Sequence, residues 1–447
     1  MPDLLIQPSG PLRGSLTIPG DKSITHRALM LAALADGDTT IEGWVPAEVC
    51  LATLRCMQML GAQAEDTGSA LHVRGRGLHG LVEPADVLHC AGSGTTIRLL
   101  AGLVAGQPFT TVLTGTDPLR RRPMGRVAEP LRLMGATVLG RDGGRLPPLT
   151  VRGGNLRGIE YRLPVASAQV KSALLLAGLF AEGETIIHEP GPSRDHTERM
   201  LRWFGVRVES DGPRIRLAGG QRLHARREPL AIPGDFSSAA FPLVAATLVP
   251  GSEVVLENVG VNPTRTGLAD LLAAMREGRE TMEDGGSKVE DGPAAPAGEP
   301  VVALPVRAAA LKAAQVGGDL VVRAIDEFPI FAVAATQAEG ATVIRDAAEL
   351  RVKESDRIAT VAAELRKMGA DIEEHPDGMT VRGPTKLRGA TVECHRDHRL
   401  AMALAVAGLV ADGPTTVRGA EAIDDSFPGF VEAMQALAAP ISWRDAG

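Results

Sequence analysis

Aromatic residues are scarce in this 447-residue chain, 3% of the total, so its 44% hydrophobic content is almost wholly aliphatic. With 23% charged residues beside it, that composition describes a globular chain and excludes disorder and fibrous repeats. Basic excess is missing too: 54 acids against 47 bases give a net charge of -7. No global positive field is available for nucleic acid or an anionic membrane, and an anionic ligand would need local positive sites. Cysteine is limited to Cys50, Cys56, Cys90 and Cys394, without CxxC or metal-finger spacing. These read as reduced thiols of a cytoplasmic protein and exclude a disulfide framework. Long apolar runs are absent as well. The longest, Leu400 to Val410, falls far short of the roughly 20 residues a membrane span needs. The opening Met1-Pro2-Asp3 carries no basic segment followed by an apolar one, so a cytoplasmic location is expected.

Motifs for several chemistries are missing. Ten histidines form neither HExxH nor a cluster with acids, so no metal site is expected, and His196 and His398 read as hydrogen-bonding residues. No GxxxxGK[ST] phosphate loop occurs. Gly75-Arg76-Gly77-Leu78-His79-Gly80 fits GxGxxG, but Pro84 and the lack of a helical pattern behind it make it a turn.

What the chain has is repetition. An apolar run ending in a small acidic or Gly turn, then a β-branched strand, occurs six times: at 28–43, 99–115, 173–189, 241–257, 328–346 and 400–419. Ala and Leu dominate these runs, which predicts buried helices stopped by the Gly behind them. A shorter amphipathic helix follows, closing on a signature such as Met59-Leu60-Gly61-Ala62, Leu133-Met134-Gly135-Ala136, Trp203-Phe204-Gly205-Val206 or Lys367-Met368-Gly369-Ala370. The fourth and sixth copies, around Met275 and Leu437, are degenerate. A unit of about 70 residues cannot hide its own apolar helix, so units must share cores. Three units per domain allow three buried helices to pack inside three sheets. The Gly-, Glu- and Pro-rich stretch 277–300 interrupts the fourth unit and reads as an exposed loop.

Polar segments stand directly before the six runs: Asp21 to Arg27, Ala91 to Arg98, Ser167 to Ser172, Gly234 to Ser238, Asp326-Glu327 and Arg396 to Arg399. Each taken singly is explained as a helix N-cap, where Ser, Thr and Asp satisfy orphan N–H groups. Six helix amino termini together, several with a cation such as Lys22, Arg27 or Arg399, favour phosphate or carboxylate binding at a site between two domains.

Eight motifs occur in order: Pro19 to Arg27, Gly92 to Arg98, Arg122-Pro123-Met124, Ser167 to Ser172, Pro192 to Glu198, Ile325 to Pro329, Val352 to Arg357 and Asp397-His398-Arg399. In these the chain resembles the 5-enolpyruvylshikimate-3-phosphate (EPSP) synthase family, over essentially its whole length. The resemblance implies an α/β fold, the inverse α/β barrel of six βαβαββ repeats in two three-repeat domains. Residues 21–228 would form one domain, on the shikimate 3-phosphate side, and 1–20 with 229–447 the other. It further implies transfer of the enolpyruvyl group of phosphoenolpyruvate to the 5-hydroxyl of shikimate 3-phosphate, without cofactor or metal, by a monomer with no nucleic-acid or membrane partner.

Carried over residue by residue, the resemblance places shikimate 3-phosphate against Lys22, Ser23, Arg27, Ser167, Ala168, Gln169, Arg194, Asp326 and Lys353. It places phosphoenolpyruvate against Lys22, Gly94, Arg122, Gln169, Arg357 and Arg399. Lys22, Asp326 and Glu354 would be catalytic: Asp326 takes the hydroxyl proton, Glu354 delivers and removes the methyl proton, and Lys22 stabilises charge on the phosphate. Gly92 and Val49 stand where many relatives carry Asn and Asp, which puts the stiffness of the Gly94 loop in question. Asp425 stands where one branch carries Lys, which places the chain nearer the class II branch. Gly94 implies open space for glyphosate in competition with phosphoenolpyruvate. Two rivals are a UDP-N-acetylglucosamine enolpyruvyl transferase and a non-catalytic anion-binding homologue. Lys22-Ser23 and the lack of Cys between Leu113 and Arg126 argue against the first. The presence of Lys22, Asp326 and Glu354 argues against the second.

Overall fold

The computed structural model describes residues 2–278, 281–282 and 298–444. The chain divides into two compact units. One holds Gly20–Ile232 together with Gly298 and Glu299, and the other holds the remaining described residues.

The amino-terminal unit repeats one sheet pattern three times. A short strand runs parallel to a central one, and two further strands follow antiparallel. The central strands are Asp38–Glu42, Thr110–Thr114 and Glu184–His188, with the short strands Leu230–Ala231, Leu88–His89 and Glu160–Arg162 beside them. The boundary expected at 228 therefore lies at Ile232, because Leu230 and Ala231 pair with Ile41 and Glu42. Three helices, Lys22–Leu34, Gly94–Ala105 and Ala168–Gly178, fill the core, buried along nearly their whole length. Such helices read as apolar runs without a polar face. Gly102 shows how close they pack: a Cβ there would lie 2.1 Å from the Ala173 carbonyl oxygen, so only Gly admits that backbone.

The carboxy-terminal unit builds the same pattern around the helices Phe236–Leu248, Phe328–Thr336 and His398–Leu409. The strand Asp3–Ile6 lies between Thr415–Arg418 and Ile441–Arg444, antiparallel to both. The sheet of the degenerate fourth copy has three described strands rather than four.

The short helices end alike. Gly61, Gly135, Gly205 and Gly369 all have positive φ, and the N–H of the next residue bonds a carbonyl five residues back, as in Ala62 to Met57 (2.9 Å) and Ala370 to Leu365 (3.0 Å). Left-handed backbone is cheap only for Gly, which is why the signature contains it. The sixth copy keeps the geometry without the glycine: Ala438 has φ 66, and Ala439 N–H bonds the Met434 carbonyl at 3.0 Å.

The stretch read as an exposed loop needs correction at both ends. Glu277 closes the Gly267–Glu277 helix. Glu299 is 1% exposed and takes a 2.7 Å bond with His196 Nδ1, itself 1% exposed, while Arg199 donates to the Gly298 carbonyl. A buried carboxylate needs such a partner, and His196 supplies it. The rest of 277–300, apart from Gly278, Thr281, Met282, Gly298 and Pro300, lies outside the described residues. Gly75–Gly80 is the turn its sequence implies, with Gly80 N–H bonding the Gly77 carbonyl at 3.2 Å.

Candidate active site

Each buried helix of the amino-terminal unit begins at a capped polar segment. Asp21 accepts from Ile24 N–H at 2.9 Å, Ser93 from Thr96 N–H at 3.0 Å and Ser167 from Val170 N–H at 3.5 Å. Simple N-capping is thus correct for these residues, and the site residues lie on the first turns they shape. Lys22 and Ser23 are half-buried at the start of the first helix, Gly94 opens the second, and Ala168 and Gln169 open the third.

Arg27 is 3% exposed. Its Nε donates to Thr197 Oγ1 (2.7 Å), Nη1 to the Ser23 carbonyl (2.8 Å) and Nη2 to Ser172 Oγ (2.8 Å). All three partners are neutral. Burial outweighs the opposing charges of Glu198, Asp21 and Glu299 and, with the charge of Arg194 adding to it, lowers the Arg27 pKa to about 10, so the guanidinium stays charged at neutral pH. Ser172 Oγ in turn donates to the Ala168 carbonyl at 2.6 Å. Arg27 therefore ties Ser23 to Ala168.

Lys171 holds the segment that carries Arg194. Its ammonium contacts Glu198 at 2.7 Å, Glu189 at 2.8 Å and the Ser193 carbonyl at 3.3 Å, and Ser193 donates back to Glu189. Burial alone would lower the Lys171 pKa, but the two carboxylates raise it.

Around Gly94 the structure is fuller than expected. A Cβ there would lie 2.8 Å from Arg122 Nη1 and 3.0 Å from Arg98 Nη1, so two guanidinium ends occupy the space read as open. Arg98 donates to Gln169 Oε1 and, at 3.1 Å, to the Pro123 carbonyl, while Gln169 Nε2 reaches Thr95 Oγ1 at 3.0 Å. Arg98, quoted in the sequence motif without a role, thus links Gln169 to the carbonyl of Pro123, the residue next to Arg122. Gly92 has room, since a Cβ there would meet only Thr116 Oγ1, at 3.8 Å.

In the carboxy-terminal unit the site is built of paired charges. Arg357, 1% exposed, follows the N-cap Asp356. It gives Nε to Asp397 Oδ2 (2.8 Å), Nη2 to Glu354 Oε2 (2.8 Å) and Nη1 to Asp326 Oδ1 (3.3 Å). Burial opposes that charge, yet Asp397, Glu354 and Asp326 push the Arg357 pKa further up. Asp397 has no exposed surface, caps the helix through Arg399 N–H at 3.0 Å and accepts Ser355 Oγ at 3.0 Å. Burial would raise its pKa, and Arg357 instead holds it below the usual carboxylate range.

Asp326 lies in the turn before the Phe328–Thr336 helix. It also faces Lys353 Nζ at 3.9 Å and Arg399 Nη2 at 3.7 Å. Burial lowers the Lys353 pKa, against the pull of Asp326. Arg399 Nη1 stands 3.7 Å from Glu327, a 1% exposed carboxylate that also accepts Ser237 Oγ. One guanidinium therefore holds the two carboxylates named as base and acid, and the two further cations named as ligands flank the base.

The whole chain compares the same way. Residues 6–434 match the EPSP synthase (3-phosphoshikimate 1-carboxyvinyltransferase) family. The chain belongs to that family. Among curated relatives, the 3-phosphoshikimate 1-carboxyvinyltransferase of Geobacter sulfurreducens is 53% identical over 98% of this chain and 100% of that protein. That of Pelotomaculum thermopropionicum is 55% identical over 96% and 97%. The solved EPSP synthase of Acinetobacter baumannii superposes with a TM-score of 0.85 at 42% identity, covering both chains fully. As a member of the EPSP synthase family, the chain has the inverse α/β barrel fold that the resemblance implied. Among the described residues, no three or more His, Cys, Asp or Glu are grouped to hold a metal ion, and no helix is long and apolar enough to cross a membrane.

The residues the sequence reading missed are those behind the ligands: Arg98, Lys171, Ser172, Thr197, Asp397 and Glu327. All six stand inside the quoted motifs, so motif membership was the available signal, whereas Glu189, the partner of Lys171, stands outside them.

Proposed function

We propose that the chain is a 3-phosphoshikimate 1-carboxyvinyltransferase. It transfers the enolpyruvyl group of phosphoenolpyruvate to the 5-hydroxyl of shikimate 3-phosphate, releasing phosphate, on the way to chorismate and the aromatic amino acids. The observation that carries the chemistry is the convergence of Asp326 and Glu354 on Arg357, at 3.3 and 2.8 Å.

In the addition step, Asp326 removes the hydroxyl proton as the oxygen bonds to the alkene carbon, and Glu354 protonates the methylene. In the elimination step, Glu354 takes a methyl proton back and the carbon–phosphate oxygen bond breaks. General acid–base help of this kind contributes about 100- to 10,000-fold. Lys22 stabilises the phosphate charge in both steps. Arg357 keeps the two carboxylates at fixed separation. That is a positioning role beside the phosphoenolpyruvate contact first expected of it.

Shikimate 3-phosphate lies against Lys22, Ser23, Ser167, Ala168 and Arg194, with Arg27 supplying its charge and bracing Ser23 and Ala168. Gln169, Asp326 and Lys353 take its hydroxyls. Phosphoenolpyruvate lies against Lys22, Gly94, Gln169, Arg122 and Arg399, cations suited to its carboxylate and phosphate. The enzyme lies nearer the class II branch, favoured by Asp425 and the Ser167 to Ser172 motif, and works as a cytoplasmic monomer.

The test is phosphate release with phosphoenolpyruvate and either acceptor. Release with shikimate 3-phosphate and none with UDP-N-acetylglucosamine is the expected result. Release only with the sugar nucleotide, or with neither, would refute the proposal.

A further inference from the structure

A buried chain of hydroxyls runs through the amino-terminal unit beneath the Gly94 turn, and no role described above uses it. It starts at His26, one turn beyond Lys22 on the same helix. His26 Nδ1 lies 2.7 Å from Thr53 Oγ1, Thr53 Oγ1 lies 2.7 Å from Thr96 Oγ1, and Thr96 Oγ1 donates to Ser93 Oγ at 2.7 Å. All four side chains are buried, with exposures of 1%, 0%, 0% and 4%. The carbonyl of Val49 stands 3.5 Å from both threonine hydroxyls, too far to compete with bonds of 2.7 Å.

The donors follow from proton counting. A hydroxyl has one hydrogen. Thr96 uses its hydrogen on Ser93, so Thr53 donates to Thr96, and His26 must donate Nδ1–H to Thr53. Burial, helped by the charges of Lys22 and Arg27, lowers the His26 pKa to about 3, so the ring is neutral and the direction of donation is kept across the working pH range. Ser93 Oγ then accepts twice, from Thr96 Oγ1 and from Thr96 N–H at 3.0 Å. The residue that precedes Gly94 is thereby fixed in place from the Lys22 helix. Neighbouring side chains offer no substitute, because Gly92 and Val49 have no polar side-chain atoms.

We propose that Thr53 is a positioning residue for phosphoenolpyruvate: through Thr96 and Ser93 it holds the Gly94 turn in register with the Lys22 helix. The inference rests on the proposed placement of phosphoenolpyruvate against Lys22, Gly94 and Arg122. It makes Thr53 matter to one substrate and not the other, because Arg27, Ser172 and Thr197 hold the shikimate 3-phosphate residues by separate bonds.

The experiment compares Thr53→Val, Thr53→Ser and Arg122→Ala by steady-state kinetics, varying each substrate in turn. Thr53→Val keeps the shape and removes the hydroxyl. It should raise KM for phosphoenolpyruvate on the order of tenfold, the change that 1.4 kcal/mol produces, with kcat and the shikimate 3-phosphate KM within twofold. Thr53→Ser, which keeps the hydroxyl, should restore the wild-type value. Equal rises in both KM values, or no rise for phosphoenolpyruvate, would overturn the proposal. Arg122→Ala separates the two layers. An unchanged phosphoenolpyruvate KM there refutes the placement itself, whereas a raised KM in Arg122→Ala with none in Thr53→Val refutes the positioning role alone. Should Thr53→Val fail to fold, Thr96→Val carries the same expectation, and an unchanged phosphoenolpyruvate KM in it overturns the proposal.

Discussion

Arg27 and Arg357 are both buried arginines at the starts of helices, and burial alone would lower the pKa of each. Their partners decide otherwise. Arg27 is held by two hydroxyls and a carbonyl and falls to about 10, whereas Arg357 is held by three carboxylates and rises. The difference distinguishes the two arginines rather than the two units as wholes, since Arg27 is bonded to neutral groups while Lys171 of the same amino-terminal unit is held by two carboxylates. Around Arg357 the charges are already paired, and the pairing sets the positions of Asp326 and Glu354, the carboxylates proposed to move protons.

The comparison breaks most visibly in stability. Arg357→Met leaves Asp397 fully buried without its counter-charge, and removing one partner of a buried pair costs about 3–5 kcal/mol. Arg27→Met leaves two hydroxyls and a carbonyl without their hydrogen-bond donor, about 1–3 kcal/mol. Thermal or urea unfolding should therefore show the Arg357 variant as clearly the weaker. Equal losses would mean that the pairing difference has no energetic content.

A smaller effect concerns acid. His26 has a folded pKa of about 3 against an ordinary 6.5, so the unfolded chain binds more protons between those values. Stability must fall as pH drops through that window, by at most about 1.4 kcal/mol per pH unit for one group. His26→Asn should flatten the acid limb of an unfolding-versus-pH curve. An unchanged slope would place the acid sensitivity elsewhere.

The smallest effect tests the repeat itself. Ala438 occupies the left-handed position that Gly fills in Gly61, Gly135, Gly205 and Gly369. Left-handed backbone costs a non-Gly residue about 1–2 kcal/mol, partly offset by the greater unfolded freedom of Gly. Ala438→Gly should raise the melting temperature slightly, and a decrease would show that the sixth copy has adapted to Ala.

Much of this was legible in the sequence, because repetition is a sequence property. The six apolar runs are the six buried helices, and the capping Gly stands in the signature itself. Glu299 was hidden because composition marks 277–300 as solvent-facing, while its burial depends on His196, 103 residues away in the chain. The space beside Gly94 misled for a related reason. An absent side chain is visible in sequence, but the Arg122 and Arg98 ends that fill the gap come from other segments. The expectation for Arg27 was a phosphate ligand on the first buried helix, and its burial and partners were hidden, since Thr197 and Ser172 reach it only through tertiary packing.

The proposed proton-transfer role of Glu354 is tested most directly by Glu354→Gln, which keeps size and hydrogen bonding and removes the carboxylate. Turnover and the calorimetric Kd for shikimate 3-phosphate would be measured on the same preparation. Turnover should fall about 100-fold or more while the Kd stays within twofold of the wild type. Near-normal turnover, or a loss of affinity that matches the loss of turnover, would contradict the account.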